Sequence, residues 1–260
     1  MKRLICAILF TGLPVITHAE NLSGLCMISV SGDIDRSREN SELVLRQNNC
    51  EDGRGCDSSD NSNISWSRWT GVSASALAQE GAQLEARMTA DAGELRCTGT
   101  VHDAVLAGRY TFTPNASFAQ QMTAMGFEEL TARKLEGFLL LDITLNWVHQ
   151  MKDTGVTDLT TGHLMSLRAL HVTPEYIHAM SEAGYPELKA GKLTEMKAVG
   201  VTPEKAKEAK ALGFQPDEQD LIQMTIFKID RPFIERMRAK GLTNLTVAKL
   251  IQVKIFKLDE

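Results

Sequence analysis

Covalent chemistry in this 260-residue chain would fall first to its cysteines, of which there are five. Cys6 lies in Met1–Ala19, a segment with Lys2 and Arg3, an apolar run from Leu4 to Ile16 broken by Thr11, Gly12 and Pro14, and the small-residue ending Thr17-His18-Ala19. That is the grammar of a cleaved export leader, and the run is shorter than the roughly 20 residues a membrane span needs. The expectation is a mature chain beginning at Glu20, periplasmic or secreted, with no stable membrane insertion after cleavage. Export leaves Cys26, Cys50, Cys56 and Cys97, an even set for an oxidising compartment, so disulfides are expected. Three pairings are open. The favoured one joins Cys50 to Cys56 around the loop Glu51–Gly55, and Cys26 to Cys97, both in strand-like segments.

Other chemistries are poorly served. A zinc site needs closely spaced His and Cys, and His102 near Cys97 does not supply it. His149, His163, His171 and His178 fall on different helices or faces and read as surface histidines, while His18 leaves with the leader. Asp52, Asp57 and Asp60 lack the alternate spacing and terminal Glu of a calcium loop. No Gly-x-Ser-x-Gly element, Cys–His pairing or phosphate-binding glycine loop occurs, so no catalytic residue, metal or cofactor is expected and the chain reads as a non-enzyme. With 28 basic against 33 acidic residues there is no basic excess to attract nucleic acid. Three aromatic residues, Trp66, Trp69 and Tyr110, are the ligand-contact candidates. Trp66 and Trp69 stand three apart in a strand-like segment, which would aim one inward and one outward.

The elements that would hold these residues divide the chain in two. From Leu25 to Thr113 apolar residues alternate in short runs, including Cys26–Val30, Leu43–Leu45, Ile64–Trp69, Leu84–Met88, Leu95–Val101 and Gly108–Phe112. Turn signals at Asp91–Gly93 and Asp103–Gly108 predict an antiparallel meander over 83–113. Asn48–Asn63, almost devoid of apolar side chains, reads as a solvated loop.

After Pro114 the pattern changes. Glycines recur at Gly126, Gly155, Gly184, Gly213 and Gly241, spaced 29, 29, 29 and 28 residues apart, each followed by an apolar residue. An apolar stripe follows in every unit, as in Leu164, Leu167 and Leu170, and marks one face of a short helix. The next helix opens at Thr173-Pro174-Glu175 and Thr202-Pro203-Glu204. Threonine caps free amides there, proline suits the first turn and glutamate the positive end of the dipole. Thr144 and Asp230 hold the same place elsewhere, and the glycines end these helices as left-handed caps. Lone helix pairs of this length cannot bury both apolar faces, so the units must stack. The helix that opens at Thr202-Pro203 stands out as polar, carrying Glu204, Lys205, Lys207, Glu208 and Lys210 with only Ala206 and Ala209 inward.

The fold class expected is therefore α+β. It comprises a leader (1–19), a β-rich disulfide-containing domain (20–114) and an α-helical domain of helix-turn-helix repeats of about 29 residues (115–260), an α-solenoid. The last unit stops half a repeat early, and its flank is either a terminal cap or a docking edge.

The run Asp91–Leu95, Gly99, Gly108–Asn115, Phe118 and Gly126-Phe127, followed by Val-Thr-Pro-Glu-Tyr-Ile at Val172–Ile177, is similar to the extracytoplasmic C-terminal region of some BlaR1-like membrane zinc peptidases and to related stand-alone exported bacterial proteins. The resemblance covers about Ser65 to the C-terminus. It implies a sensory or protein-contacting tail, without the peptidase, since there is no His-Glu-x-x-His. The function expected first is an interaction module binding a protein or peptide partner of the cell envelope through its helices. The alternative, implied by the resemblance, is a ligand-sensing accessory of an envelope-stress or antibiotic-response system with a pocket at Trp66, Trp69 and Tyr110.

Overall fold

A computed structural model describes residues 20–30, 42–48 and 59–258. The leader, Cys50, Cys56 and the loop they were expected to close lie outside the described residues. Within them the chain is α+β. Strands β1 (Leu22–Val30), β2 (Glu42–Asn48), β3 (Ser59–Ser65), β4 (Gln83–Ala90), β5 (Gly93–His102) and β6 (Val105–Pro114) form one antiparallel sheet in the order β3-β2-β1-β6-β5-β4. The β4–β6 stretch is the meander expected over 83–113. Two expectations are corrected. Ser59–Asn63, read as loop, belongs to β3 and pairs with β2. The segment Trp66–Arg68, read as strand, is a single 3-10 turn that starts where the Ser65 hydroxyl accepts the Ser67 amide.

Alternation decides which face of the sheet is covered. Leu95, Cys97 and Val101 on β5, and Leu106, Tyr110 and Phe112 on β6, are buried, whereas Arg96, Thr98, Arg109 and Thr111 are exposed. Cys26 and Cys97 form the expected disulfide, S–S 2.02 Å, even though β6 lies between their strands. Gly99 and Gly108, paired across β5 and β6, let the backbones close up there. A Cβ on Gly99 would strike the Ala107 carbonyl, and one on Gly108 the Thr98 carbonyl.

Beyond the short helix α1 (Ala74–Leu77), the helices follow Pro114: α2 (Ala116–Ala124), α3 (Ala132–Leu140), α4 (Leu145–Asp153), α5 (Thr161–Ala169), α6 (Pro174–Glu182), α7 (Ala190–Val199), α8 (Pro203–Ala211), α9 (Glu218–Ile226), α10 (Arg231–Ala239) and α11 (Val247–Ile255). The N-caps work as their chemistry requires. Thr144, Thr173, Thr202 and Asp230 accept the amides of Trp147, Tyr176, Lys205 and Phe233. Gly126, Gly155, Gly184, Gly213 and Gly241 all have φ between +83° and +92°, where a Cβ is costly.

In the odd-numbered series α3, α5, α7, α9 and α11 each helix packs on the next, α2 packs on α4 and α6 on α8. Helix α3 lies against β5 and β6, with Phe138 edge-on to Phe118 at 6.1 Å. The change from strand to helix falls at Pro114, but the core does not divide there. One cluster of buried side chains runs from Cys26 to Val253.

Candidate functional site

The three aromatic candidates do not line an open pocket. Tyr110 is 1% exposed and Trp69 6%, both in the core, and only Trp66 reaches partly to the surface. Trp69 Nε1 is buried without a hydrogen-bond partner. Trp66 opens the 3-10 turn and Trp69 caps it, so neither belongs to a strand, and Tyr110 is on the covered face of β6. The histidines are dispersed: His102 Nδ1 lies 2.8 Å from Glu80, His163 Nδ1 lies 2.6 Å from the Asp158 carbonyl, and His149, His171 and His178 are exposed. Among the described residues, no three His, Cys, Asp or Glu side chains are gathered as a metal ion would require.

The helices carry a recurring polar device that the sequence reading missed. The third residue of a helix, whose amide the N-cap holds, is aromatic in α2, α4, α6 and α10: Phe118, Trp147, Tyr176 and Phe233. For three of these rings a cation near the C-terminus of the next helix in the chain stands over the face. Arg168 lies 5.3 Å from Trp147, Lys197 4.6 Å from Tyr176 and Lys254 4.1 Å from Phe233. Each such pair seals a seam with an apolar plate and a charge over its face. A second set of cations closes helix C-termini: Lys152 donates to Met125 O at 2.8 Å, Lys210 to Ala183 O and Arg238 to Leu212 O, both at 2.7 Å. Positive charge at exposed terminal carbonyls is favoured by the helix dipole. The signal was present as the basic residues in the last turns, but only the fold shows which carbonyl each one meets.

The α8 seam has neither the ring nor the cation. In α8 the third residue is Lys205 instead of an aromatic, and Thr225 of α9 stands where Arg168, Lys197 and Lys254 stand elsewhere. Met151, Met180 and Met237, seventh in α4, α6 and α10, give way to Ala209. A cleft of about 240 Å³ opens there between α8, α9 and the start of α10, floored by Ala209, Leu212, Leu221 and Met224. Its rim carries Lys205, Lys228, Arg231, Glu208 and Asp230. Arg231 Nε holds Glu208 at 2.9 Å, and the Asp230 carboxylate accepts the Phe233 amide. Lys205 donates to the Gly200 carbonyl, and neither it nor Lys228 has a carboxylate partner among the described residues.

A second surface feature lies on α9 and α11. Ile226 and Ile255, each the last residue of its helix, are both 55% exposed, and Phe256 and Leu258 are 67% and 65% exposed. Along α11 the apolar stripe is buried at Leu250 and Val253 but leaves the core at Phe256.

Elsewhere the helical seams are closed by tyrosine hydroxyls. Tyr176 donates to Val201 O at 3.0 Å and Tyr185 to Pro216 O at 2.6 Å. Burial pushes both phenols up to about 12, with Glu218, Asp217 and Asp220 adding to the effect at Tyr185.

The fold and these sites define a disulfide-bonded α+β chain with uncovered apolar and basic surface. The Cys26–Cys97 bond belongs to an oxidising, extracellular environment, and among the described residues no helix is long and apolar enough to cross a membrane. No family model, curated protein or solved structure matches the chain, and the resemblance to BlaR1-like tails rests on the motifs alone.

Proposed function

We propose that this chain is an exported, non-enzymatic interaction module of the bacterial cell envelope, periplasmic or secreted. In this reading α2–α11 are stacked helix-turn-helix units of about 29 residues that present their surface to a protein or peptide partner. The observation that carries it is the apolar group Ile226, Ile255, Phe256 and Leu258. Large aliphatic and aromatic side chains left exposed on two adjacent helices favour burial against another molecule. The even helix lengths and the recurring caps support the stacking, because each unit satisfies its own helix ends and leaves its apolar face for a neighbour. The disulfide supports export.

The test is affinity capture from envelope extracts with the chain from Glu20 onward, beside an Ile255→Asp, Phe256→Asp variant whose circular dichroism matches the parent. A protein retained by the parent and lost by the variant is the expected result. Equal capture by both forms overturns the assignment of the binding surface, and capture by neither overturns the function.

A further inference from the structure

We infer that the cleft between α8 and α9 is a pocket for a single aromatic side chain of a peptide partner, with an acidic residue beside it in the peptide; this rests on the reading of the chain as an interaction module. The same place in the neighbouring seams shows what fits. There an aromatic ring, Trp147, Tyr176 or Phe233, fills the seam from within the chain and meets a cation at its face. At the α8 seam ring and cation are both missing, and the methionine position is an alanine. Three side chains on two helices are smaller at one spot than their counterparts in the other seams, and the cleft they leave has an apolar floor of Leu221, Met224 and Ala209 that an entering side chain would cover.

Size and charge narrow the occupant. At about 240 Å³ the cleft is below the range that encloses a drug-sized ligand and suits one side chain anchored from outside. Its apolar floor favours a ring. At the rim the two carboxylates are committed, Glu208 to Arg231 and Asp230 to its helix end, while the ammonium groups of Lys205 and Lys228 are left without acidic partners among the described residues. A partner entering here meets net positive charge, so a carboxylate next to the ring is attracted and a lysine repelled.

The probes are blocked tetrapeptides, acetyl-Gly-Phe-Glu-Gly-amide and its Phe→Ala and Glu→Lys forms, titrated into the chain from Glu20 onward and followed by NMR shifts of the Ala209, Leu221 and Met224 methyl groups. The first peptide is expected to move those signals and to bind at least tenfold more tightly than either altered form. Ala209→Met and Lys205→Phe restore residues that the other seams carry, so both should fold. Each is expected to raise Tm and to abolish the shifts, and Lys228→Glu to weaken binding several-fold with Tm unchanged. Unaltered binding in Ala209→Met overturns the pocket. Tighter binding by free N-acetylphenylalanine than by the blocked peptide also overturns the proposal, in favour of a small aromatic carboxylate. Ala209→Met retaining partner capture from extracts would sink this pocket while leaving the proposed function standing, whereas the Ile255→Asp, Phe256→Asp variant probes that function without touching the cleft.

Discussion

Arg68 reaches across 71 positions of sequence to Leu139, its Nη2 lying 2.6 Å from that residue's carbonyl oxygen, while Nη1 donates to Leu140 O at 2.9 Å. The guanidinium fork thus closes the C-terminus of α3 from the turn after β3, and Asp142 stands beside it at 3.5 Å. This is one polar join between the β-part and the helices, and the Leu145 amide donating to Asp91 at 2.9 Å is another; both lie beside the packing of α3 on β5 and β6.

Removing that fork should cost more than an ordinary surface arginine. Hydrogen bonds to a charged donor contribute about 1.5–3 kcal/mol, and Arg68→Ala leaves two part-buried carbonyls without it, so a loss of about 3 kcal/mol is expected. For a chain of this size that lowers Tm by roughly 6–12 °C. Arg68→Lys should recover less than half, because a point charge cannot serve two carbonyls in one plane. A Tm for Arg68→Ala within a degree of the parent would show that water replaces the fork without cost.

Two glycines should fail for different reasons. Gly155 has φ +83° with open space around its missing Cβ, so Gly155→Ala bears only the left-handed backbone penalty of about 1–2 kcal/mol. Gly99 has no left-handed backbone but faces the Ala107 carbonyl, and Gly99→Ala must push β5 and β6 apart beside Gly108, the β6 residue paired with the disulfide's Cys26. A loss of about 3 kcal/mol or more is expected, in the range of severe overpacking. Urea denaturation of the two variants side by side gives the comparison, and equal midpoints would remove the steric account.

The disulfide should matter through the unfolded chain. Cys26 and Cys97 are 71 residues apart, and closing a loop of that length is worth about 4 kcal/mol in the chain-entropy picture. The Cys26→Ala, Cys97→Ala double variant is expected to show a lower denaturation midpoint, and added reductant should shift the parent in the same direction while leaving the variant unmoved. A reductant effect of equal size on both would point to Cys50 and Cys56 instead.

What could be read from the residues was what the backbone demands locally. The glycines after α2, α4, α6, α8 and α10 and the Thr-Pro starts at Thr173 and Thr202 each meet a requirement within one turn of chain, so type and spacing reveal them. The turns after α3, α5 and α9 adopt the same left-handed conformation with Asp142, His171 and Lys228, which carry no such mark. Strand β3 was hidden because Asp60-Asn61-Ser62-Asn63 sits at the sheet edge, with no alternation to betray it. The polar character of α8 and its small inner residues were visible in sequence. That they form a cleft depends on Thr225, twenty residues from Lys205, which becomes its neighbour only when α9 packs beside α8.

High pH should weaken the fold through Tyr176 and Tyr185. Both phenols sit in the helical seams as hydrogen-bond donors to carbonyls, and burial raises them to about 12, against about 10 for a free tyrosine. The folded state therefore holds protons that the unfolded chain has given up once the pH exceeds 10. Unfolding releases protons in that window, so stability is fully present below about pH 10 and falls as pH rises towards 12. Urea midpoints at unit steps of pH should stay level up to pH 9 and then decline. In Tyr176→Phe the decline should be shallower, since one of the two titrating groups is gone, although the variant starts lower for want of the bond to Val201. Titration of the native protein by tyrosinate absorbance supplies the check: if both residues ionise near pH 10 with the helical signal intact, the seams are open to water and the predicted slope has no source.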